Sequence, residues 1–240
     1  MKTNVYHISF HTAHRLAVLF FFGCNFACRG CLRRAEPFDC HLPEGEKPRK
    51  PYLATLTLNE VVNALREVKP EVVVFEGWEP TLDPNLPEIS VTLKKELGVK
   101  NHLLTNGYLL PKLDGLDEVK VSLKAFSEDL HREYTGRSNR RVLRNFERLY
   151  GSGVKLSAET VLIPGYVDKA EIGRIAEFIA SVDDEIPLRI DPYWPVASQE
   201  WRAPTVEELK EAVEEAKNHL VNVSFLSPKA GVVGRVIRLR

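Results

Sequence analysis

A chain of 240 residues, 44% of them apolar, is long enough to bury a substantial core and fits a single domain, residues 1–240. Its 33 basic and 33 acidic side chains cancel to a formal charge of +0, so no global field draws it to nucleic acid or anionic lipid, and bulk nucleic-acid binding is not expected. The longest apolar run, residues 16–23, is far short of the roughly 20 residues of a membrane helix, and the first residues lack the regions of a secretion signal; a cytoplasmic protein with no membrane association is expected.

Short apolar, β-branched runs alternate along the chain with stretches of helical spacing. Strands are expected over residues 16–23, 71–76, 101–105, 118–123, 155–163 and 187–191. Helices are expected over 58–68, 86–97, 139–151, 169–181 and 206–220, with a shorter one at 109–113. Thr57 with Glu60, and Thr205 with Glu208, read as capping boxes. Strands apolar on both faces, such as the run at residues 72–75, belong to a parallel sheet covered by helices. Six strand–helix units are about three quarters of the eight that close a full barrel. The expected fold is therefore α/β: a partial, open (βα)6 TIM-like barrel of parallel strands, followed by a C-terminal helix and strand within 205–240, with its chemistry at the C-terminal strand ends. Residues 37–51 hold four prolines and a glycine and read as an ordered loop or lid. A single Met and a single Gln (Gln199), beside abundant Glu, Lys, Arg and Val, suggest a thermophile.

Three of the four cysteines, Cys24, Cys28 and Cys31, fall in the loop 24–31 directly after the first expected strand. Three thiolates on one loop can bind three irons of a [4Fe–4S] cluster, which ordinarily takes four Cys, leaving one iron open to the amino and carboxylate groups of a small molecule. Two other readings stand beside it: a zinc site completed by Cys40 or His41, and a disulfide or simple burial. Cys40 reads as structural. His7, His11 and His14, at spacings of four and three, would gather on one helical turn but lack a supporting acid; His41 is the better metal candidate of the histidines.

The Cys-x3-Cys-x2-Cys spacing after the first strand of a βα repeat resembles the radical S-adenosylmethionine (SAM) superfamily, over nearly the whole chain. Gly77-Trp78-Glu79-Pro80 stands where that family has Gly-Gly-Glu-Pro, Thr105-Asn106-Gly107 matches its third strand end, and 161–165 and 191–193 match the fifth and sixth. Ser122-Leu123-Lys124, His131, Thr135-Gly136, Asn139 and Asn145 are similar to the activating enzymes of glycyl-radical enzymes, typified by pyruvate formate-lyase activating enzyme. The resemblance implies a [4Fe–4S] cluster on Cys24, Cys28 and Cys31, and SAM held by Gly77, Trp78, Glu79, Asn106, Ser122 and Lys124. Glu79 would supply negative charge near the methionyl ammonium, and Lys124 would lie against the carboxylate.

Departures accompany the matches. Gly30 replaces the aromatic residue usual before the third cysteine, so Trp78 is expected to supply that surface. Leu104 and Ser122 occupy positions where carboxylates help hold a monovalent cation in pyruvate formate-lyase activating enzyme, so that cation site is expected to be missing. Trp194 replaces a histidine. By resemblance the partners are a glycyl-radical enzyme as protein substrate, or a small molecule, with ferredoxin or flavodoxin as electron donor. Arg29, Arg33 and Arg34 would offer such a donor a docking patch, or else hold SAM or substrate. The arginines at 137, 140, 141, 144 and 148 read as exposed helix charge. Tyr193, Trp194 and Trp201 read as core or lid packing. A zinc-stabilised binding module without redox chemistry is the alternative from a different class.

Overall fold

The computed structural model describes residues 1–47, 54–196, 199–227 and 231–240. Its strands are β1 (Val5–His11), β2 (Leu16–Phe21), β3 (Val72–Gly77), β4 (Lys100–Thr105), β5 (Glu118–Ser122), β6 (Lys155–Leu162), β7 (Leu188–Pro192), β8 (Val223–Phe225) and β9 (Val236–Arg238). The helices are α1 (Leu32–Ala35), α2 (Leu58–Val68), α3 (Leu86–Leu97), α4 (Glu128–Thr135), α5 (Arg140–Gly151), α6 (Lys169–Val182) and α7 (Val206–Lys217). Both expected capping boxes form, at Thr57 and at Thr205.

All nine strands join one unclosed sheet in the order β8-β7-β6-β5-β4-β3-β2-β1-β9. From β2 to β8 every pairing is parallel, while β1 pairs antiparallel with both β2 and β9. The open parallel α/β barrel expected from the sequence is thus present, flanked by antiparallel strands. Val73 and Phe75 of β3, Val119 and Val121 of β5, and Ile190 of β7 are fully buried in one core with Leu65, Ile89, Phe146, Ile175 and Leu209 of the covering helices. Each such side chain contributes roughly 1.5–3 kcal/mol by leaving water. A smaller apolar cluster of Tyr6, Val18, Phe20 and Phe38 lies apart from that core.

Register sets the site. Phe21 pairs with Gly77, Thr105 with Val121, and Ser122 with Glu159, so the ends of β2 to β6 stand side by side.

Three expectations need correction. Residues 109–113 form no helix: Pro111 lacks an amide hydrogen, and the Asn145 side chain instead donates to the carbonyls of Gly107 and Tyr108, fixing a turn. His7 and His11 lie on strand β1 rather than on a helical turn, and the chain is helical only for the single 3₁₀ turn Thr12–His14. The last helix ends at Lys217, short of Leu220, and is followed by two short strands. Of the expected loop or lid at 37–51, positions 48–51 fall outside the described residues.

Candidate active site

The loop bearing Cys24, Cys28 and Cys31 leaves the end of β2, and all three are free, partly exposed thiols. Its backbone is tied to the last turn of α4, where the carbonyl of Thr135 accepts from Ala27 N at 2.8 Å and that of Tyr134 from Arg29 N at 3.0 Å. Phe26 anchors it from below, packing edge-on against Tyr108 and His131. His131 is buried and bonds through Nδ1 to the Arg137 carbonyl at 2.7 Å, so it locks the turn after α4.

The residues paired with this loop by sequence gather around it. Trp78 N donates to the Phe21 carbonyl and Glu79 N to that of Gly23, binding the end of β3 to the start of the cysteine loop. Gly77 has φ of +104°, and a Cβ there would lie 2.8 Å from the Phe21 amide nitrogen, so only glycine lets these two chains meet. The Glu79 carboxylate is 1% exposed. Its Oε1 accepts from Thr81 N, Thr81 Oγ1 and Thr105 Oγ1, and its Oε2 from Asn106 N at 2.7 Å. Burial nonetheless raises its pKa. Asn106 in turn donates to Asn25 Oδ1 at 2.7 Å and reaches Cys24 Sγ at 3.8 Å. Lys124 Nζ donates to Ser122 Oγ at 2.6 Å. Burial pushes the Cys28 thiol up to about 11 and also raises Cys24, while the Lys124 charge pulls both down. Burial outweighs that charge, so with no cluster bound both side chains favour the neutral thiol.

The three loop sulfurs do not all lie within 4.8 Å of one another. A single zinc draws its sulfurs to about 3.8 Å apart. A wider triangle of partly exposed thiols, with a nearby cation and an open side, fits a cluster of several irons and an external ligand on one of them.

The space beside Gly30 is filled by aromatics: a Cβ there would meet Tyr193 Cε2 at 2.9 Å, Tyr134 Oη at 3.1 Å and Trp201 Cζ3 at 3.2 Å. These rings, with Tyr166 stacked on Trp201, pack together as one aromatic group on the Gly30 side of the loop. Trp78 packs against Phe22. Trp194 is 63% exposed and lies outside that group. Arg29 lies over the Trp201 ring and pairs with Glu133. Arg33 is turned inward, onto Glu76 and the Phe38 carbonyl, so of the expected docking patch it is not a surface member.

Sequence reasoning passed over a second set of charges. Arg189 Nη2 lies 2.8 Å from Glu159 Oε2, and its Nε lies 2.7 Å from Asp191 Oδ1. Glu76 interacts electrostatically with Arg33, Glu159 and Arg189, and Asp191 with Lys120, so charged groups from α1, β3, β5, β6 and β7 act on one another. Burial and the Glu159 charge raise the Asp191 pKa. The signal was available as alternation: Ser157 and Glu159, then Arg189 and Asp191, interleave with buried apolar residues.

A parallel open barrel with three cysteines at the mouth of its first parallel strand defines a class. Residues 18–179 match the radical SAM superfamily, and the chain belongs to that family of enzymes. It is 34% identical over 212 residues to a Methanocaldococcus jannaschii protein assigned by name to the glycyl-radical enzyme activating enzymes, covering 85% of this chain and 77% of that one. Against the pyruvate formate-lyase-activating enzyme of Staphylococcus aureus it is 27% identical over 216 residues, covering 82% of this chain and 84% of that enzyme. In fold it is similar to Streptococcus suis SuiB bound to S-adenosylmethionine, with a TM-score of 0.66 and 16% identity over 87% of this chain and 49% of SuiB. Membership in an enzyme family sets aside the binding-module reading. Among the described residues no helix is long and apolar enough to cross a membrane.

Proposed function

We propose that the chain holds a [4Fe–4S] cluster on Cys24, Cys28 and Cys31, binds SAM at the neighbouring strand ends, and activates a glycyl-radical enzyme by removing hydrogen from a glycine of that partner. The observation that carries this reading is the convergence of the β3 and β4 ends on the cysteine loop: Glu79 N bonds to the Gly23 carbonyl, and Asn106, whose amide bonds to Glu79 Oε2, donates to Asn25 Oδ1 and reaches Cys24 Sγ at 3.8 Å. Such a cluster would supply one-electron chemistry, with electrons from ferredoxin or flavodoxin: reductive cleavage of a carbon–sulfur bond of SAM and, through it, removal of hydrogen from a substrate C–H bond.

The chain's own residues bind, orient and exclude water. Lys124 offers a point charge to the methionyl carboxylate. Backbone at Gly77 and Trp78 faces the ammonium, with the Glu79 charge behind it, and Asn106 fixes the Cys24 side of the loop through Asn25. The aromatic group of Tyr134, Tyr193 and Trp201 shields the site from solvent on the Gly30 side. The unclosed sheet leaves room for a loop of a partner protein to enter, and the names of the relatives point the same way. A thiolate-held, oxygen-labile centre suits a reducing compartment, so the protein is assigned to the cytoplasm, and its sparse Met and Gln to a thermophile.

The charged group of Glu159, Arg189 and Asp191 favours a second reading, a small charged substrate on the concave face. One experiment serves both. Anaerobic, iron- and sulfide-reconstituted protein given dithionite and SAM should release 5′-deoxyadenosine, and the Cys28→Ala protein should release none; cleavage retained in that variant would overturn the proposal. Deuterium carried into 5′-deoxyadenosine from a glycine-labelled partner protein, rather than from labelled metabolites, selects the activating-enzyme reading.

A further inference from the structure

We propose that His11, Asp39 and His41 form a binding site for a divalent transition-metal ion of the zinc type, separate from the cysteine loop. Their ligand atoms all lie within 4.8 Å of one another, and no other trio of His, Cys, Asp or Glu ligands among the described residues does so. Asp39 is the centre. Its side chain is 4% exposed, with Oδ2 at 2.9 Å from His11 Nε2 and Oδ1 at 3.0 Å from His41 Nδ1. In a tetrahedron with metal bonds of about 2.0–2.1 Å, neighbouring N and O ligands stand about 3.3 Å apart. Each imidazole nitrogen thus already stands within a few tenths of an ångström of that spacing from one carboxylate oxygen, and small shifts of the side chains would bring the trio around one ion.

The surroundings suit such an ion as well. The two imidazole rings cross at 73° with centroids 5.6 Å apart, so they approach the carboxylate from different sides. Cys40 Sγ is 3.7 Å from His41 Nδ1 but does not lie within 4.8 Å of all three ligand atoms, so water is expected to complete the coordination of a bound ion. Ser9 Oγ donates to Asp39 Oδ2 at 2.5 Å and His41 N to Oδ1 at 2.9 Å, which fixes the carboxylate's orientation from behind. The His41 side chain is 49% exposed, which gives an ion a path in. His11 sits at the end of β1, and Asp39 and His41 lie in the segment after α1. A bound ion would therefore clasp the chain leaving the cysteine loop onto β1.

The rival is a hydrogen-bonded Asp–His trio that takes no metal, and titration separates the two. The full-length protein is titrated anaerobically with Zn²⁺ against a chelating indicator, and with Co²⁺ for its visible absorption. The same titrations are run on His41→Ala, Asp39→Asn and Cys28→Ala, with folding checked by circular dichroism. One zinc should bind at a Kd near or below about 1 µM and raise the Tm. Cys28→Ala should keep this binding, and His41→Ala should weaken it at least about 100-fold. Either zinc binding unchanged in His41→Ala, or none that survives Cys28→Ala, overturns the proposal. His41 is half-exposed, so its replacement tests the site even should Asp39→Asn fail to fold.

Discussion

Glu79→Gln tests whether the strand-end carboxylate is held chiefly by its hydrogen bonds. Three donors converge on Oε1 and one, the Asn106 amide, on Oε2 at 2.7 Å. A glutamine keeps most by leaving its oxygen with the three, which turns its NH₂ against the Asn106 N–H, donor facing donor. One charge-assisted bond is lost, costing about 1.5–3 kcal/mol, and three become neutral, costing about 0.5–1 kcal/mol each. Relief of burying a charged carboxylate, signalled by its raised pKa, returns a few kcal/mol of this. The net expectation is a loss of about 2 kcal/mol, and about 4 kcal/mol for Glu79→Ala, which leaves all four donors without an acceptor. Urea unfolding of the cluster-free protein measures both. Because Asn106 reaches Asn25 and Cys24, the glutamine variant should also show faster alkylation of the loop thiols. A Gln variant as stable as the wild type would refute the reasoning, since the burial cost would then outweigh the hydrogen bonds.

Three further outcomes are expected. Gly77→Ala forces a side chain to adopt φ +104° with its Cβ 2.8 Å and 2.9 Å from Phe21 backbone atoms. It should cost at least about 3 kcal/mol in urea unfolding, and a loss under about 1 kcal/mol contradicts the geometry. Gly30→Ala pushes its Cβ to 2.9 Å from the Tyr193 ring and 3.2 Å from Trp201, so tryptophan fluorescence should shift, with a loss of about 1–3 kcal/mol; an unchanged spectrum argues against that packing. Burial lowers His7 from 6.5 to about 4, outweighing the bond from Nδ1 to the Arg240 carbonyl, which acts in the opposite direction; its Nε2 has no partner among the described residues. The unfolded chain then binds a proton below pH 6.5 that the folded chain refuses until about 4. The stability this residue contributes is thus complete above 6.5 and falls away toward 4, by roughly 3 kcal/mol in total, seen as the wild-type minus His7→Gln difference across that window. A difference that stays flat with pH speaks against a neutral, buried His7.

Most of the sheet was legible because its strands are short β-branched runs whose residues meet helices on one side, as at Val73 and Phe75. The cysteine loop and the turns at Gly77 and Asn106 were legible because their residue types are tied to particular backbone or ligand demands. Helix α4 was not. Its sequence is mostly charged, and its N-terminus is fixed from afar: the carboxylate of Glu171 on α6 accepts from Phe126 N, Ser127 N and Ser127 Oγ. Ser127 and Gly136 at its two ends were local signals of it nonetheless. β1 was hidden because its histidines suggested a helical period, although its buried residues pair with β2 as an extended chain. The meeting of His11 with Asp39 and His41 joins positions 28 to 30 residues apart, and no local pattern announces it.

The cysteine loop hangs from the last turn of α4 by two amide-to-carbonyl bonds. Lys124 stands four residues before that helix begins, and its ammonium is held by Ser122 at the end of β5, so the thiols hang from the helix while the cation is tied to the sheet. A visitor that tilted α4 would therefore carry the sulfurs with it while the ammonium stayed with the strand, changing the spacing between them. How α4 leans against the ends of β3 and β4 is then a single mechanical coordinate for the position of the cysteine loop.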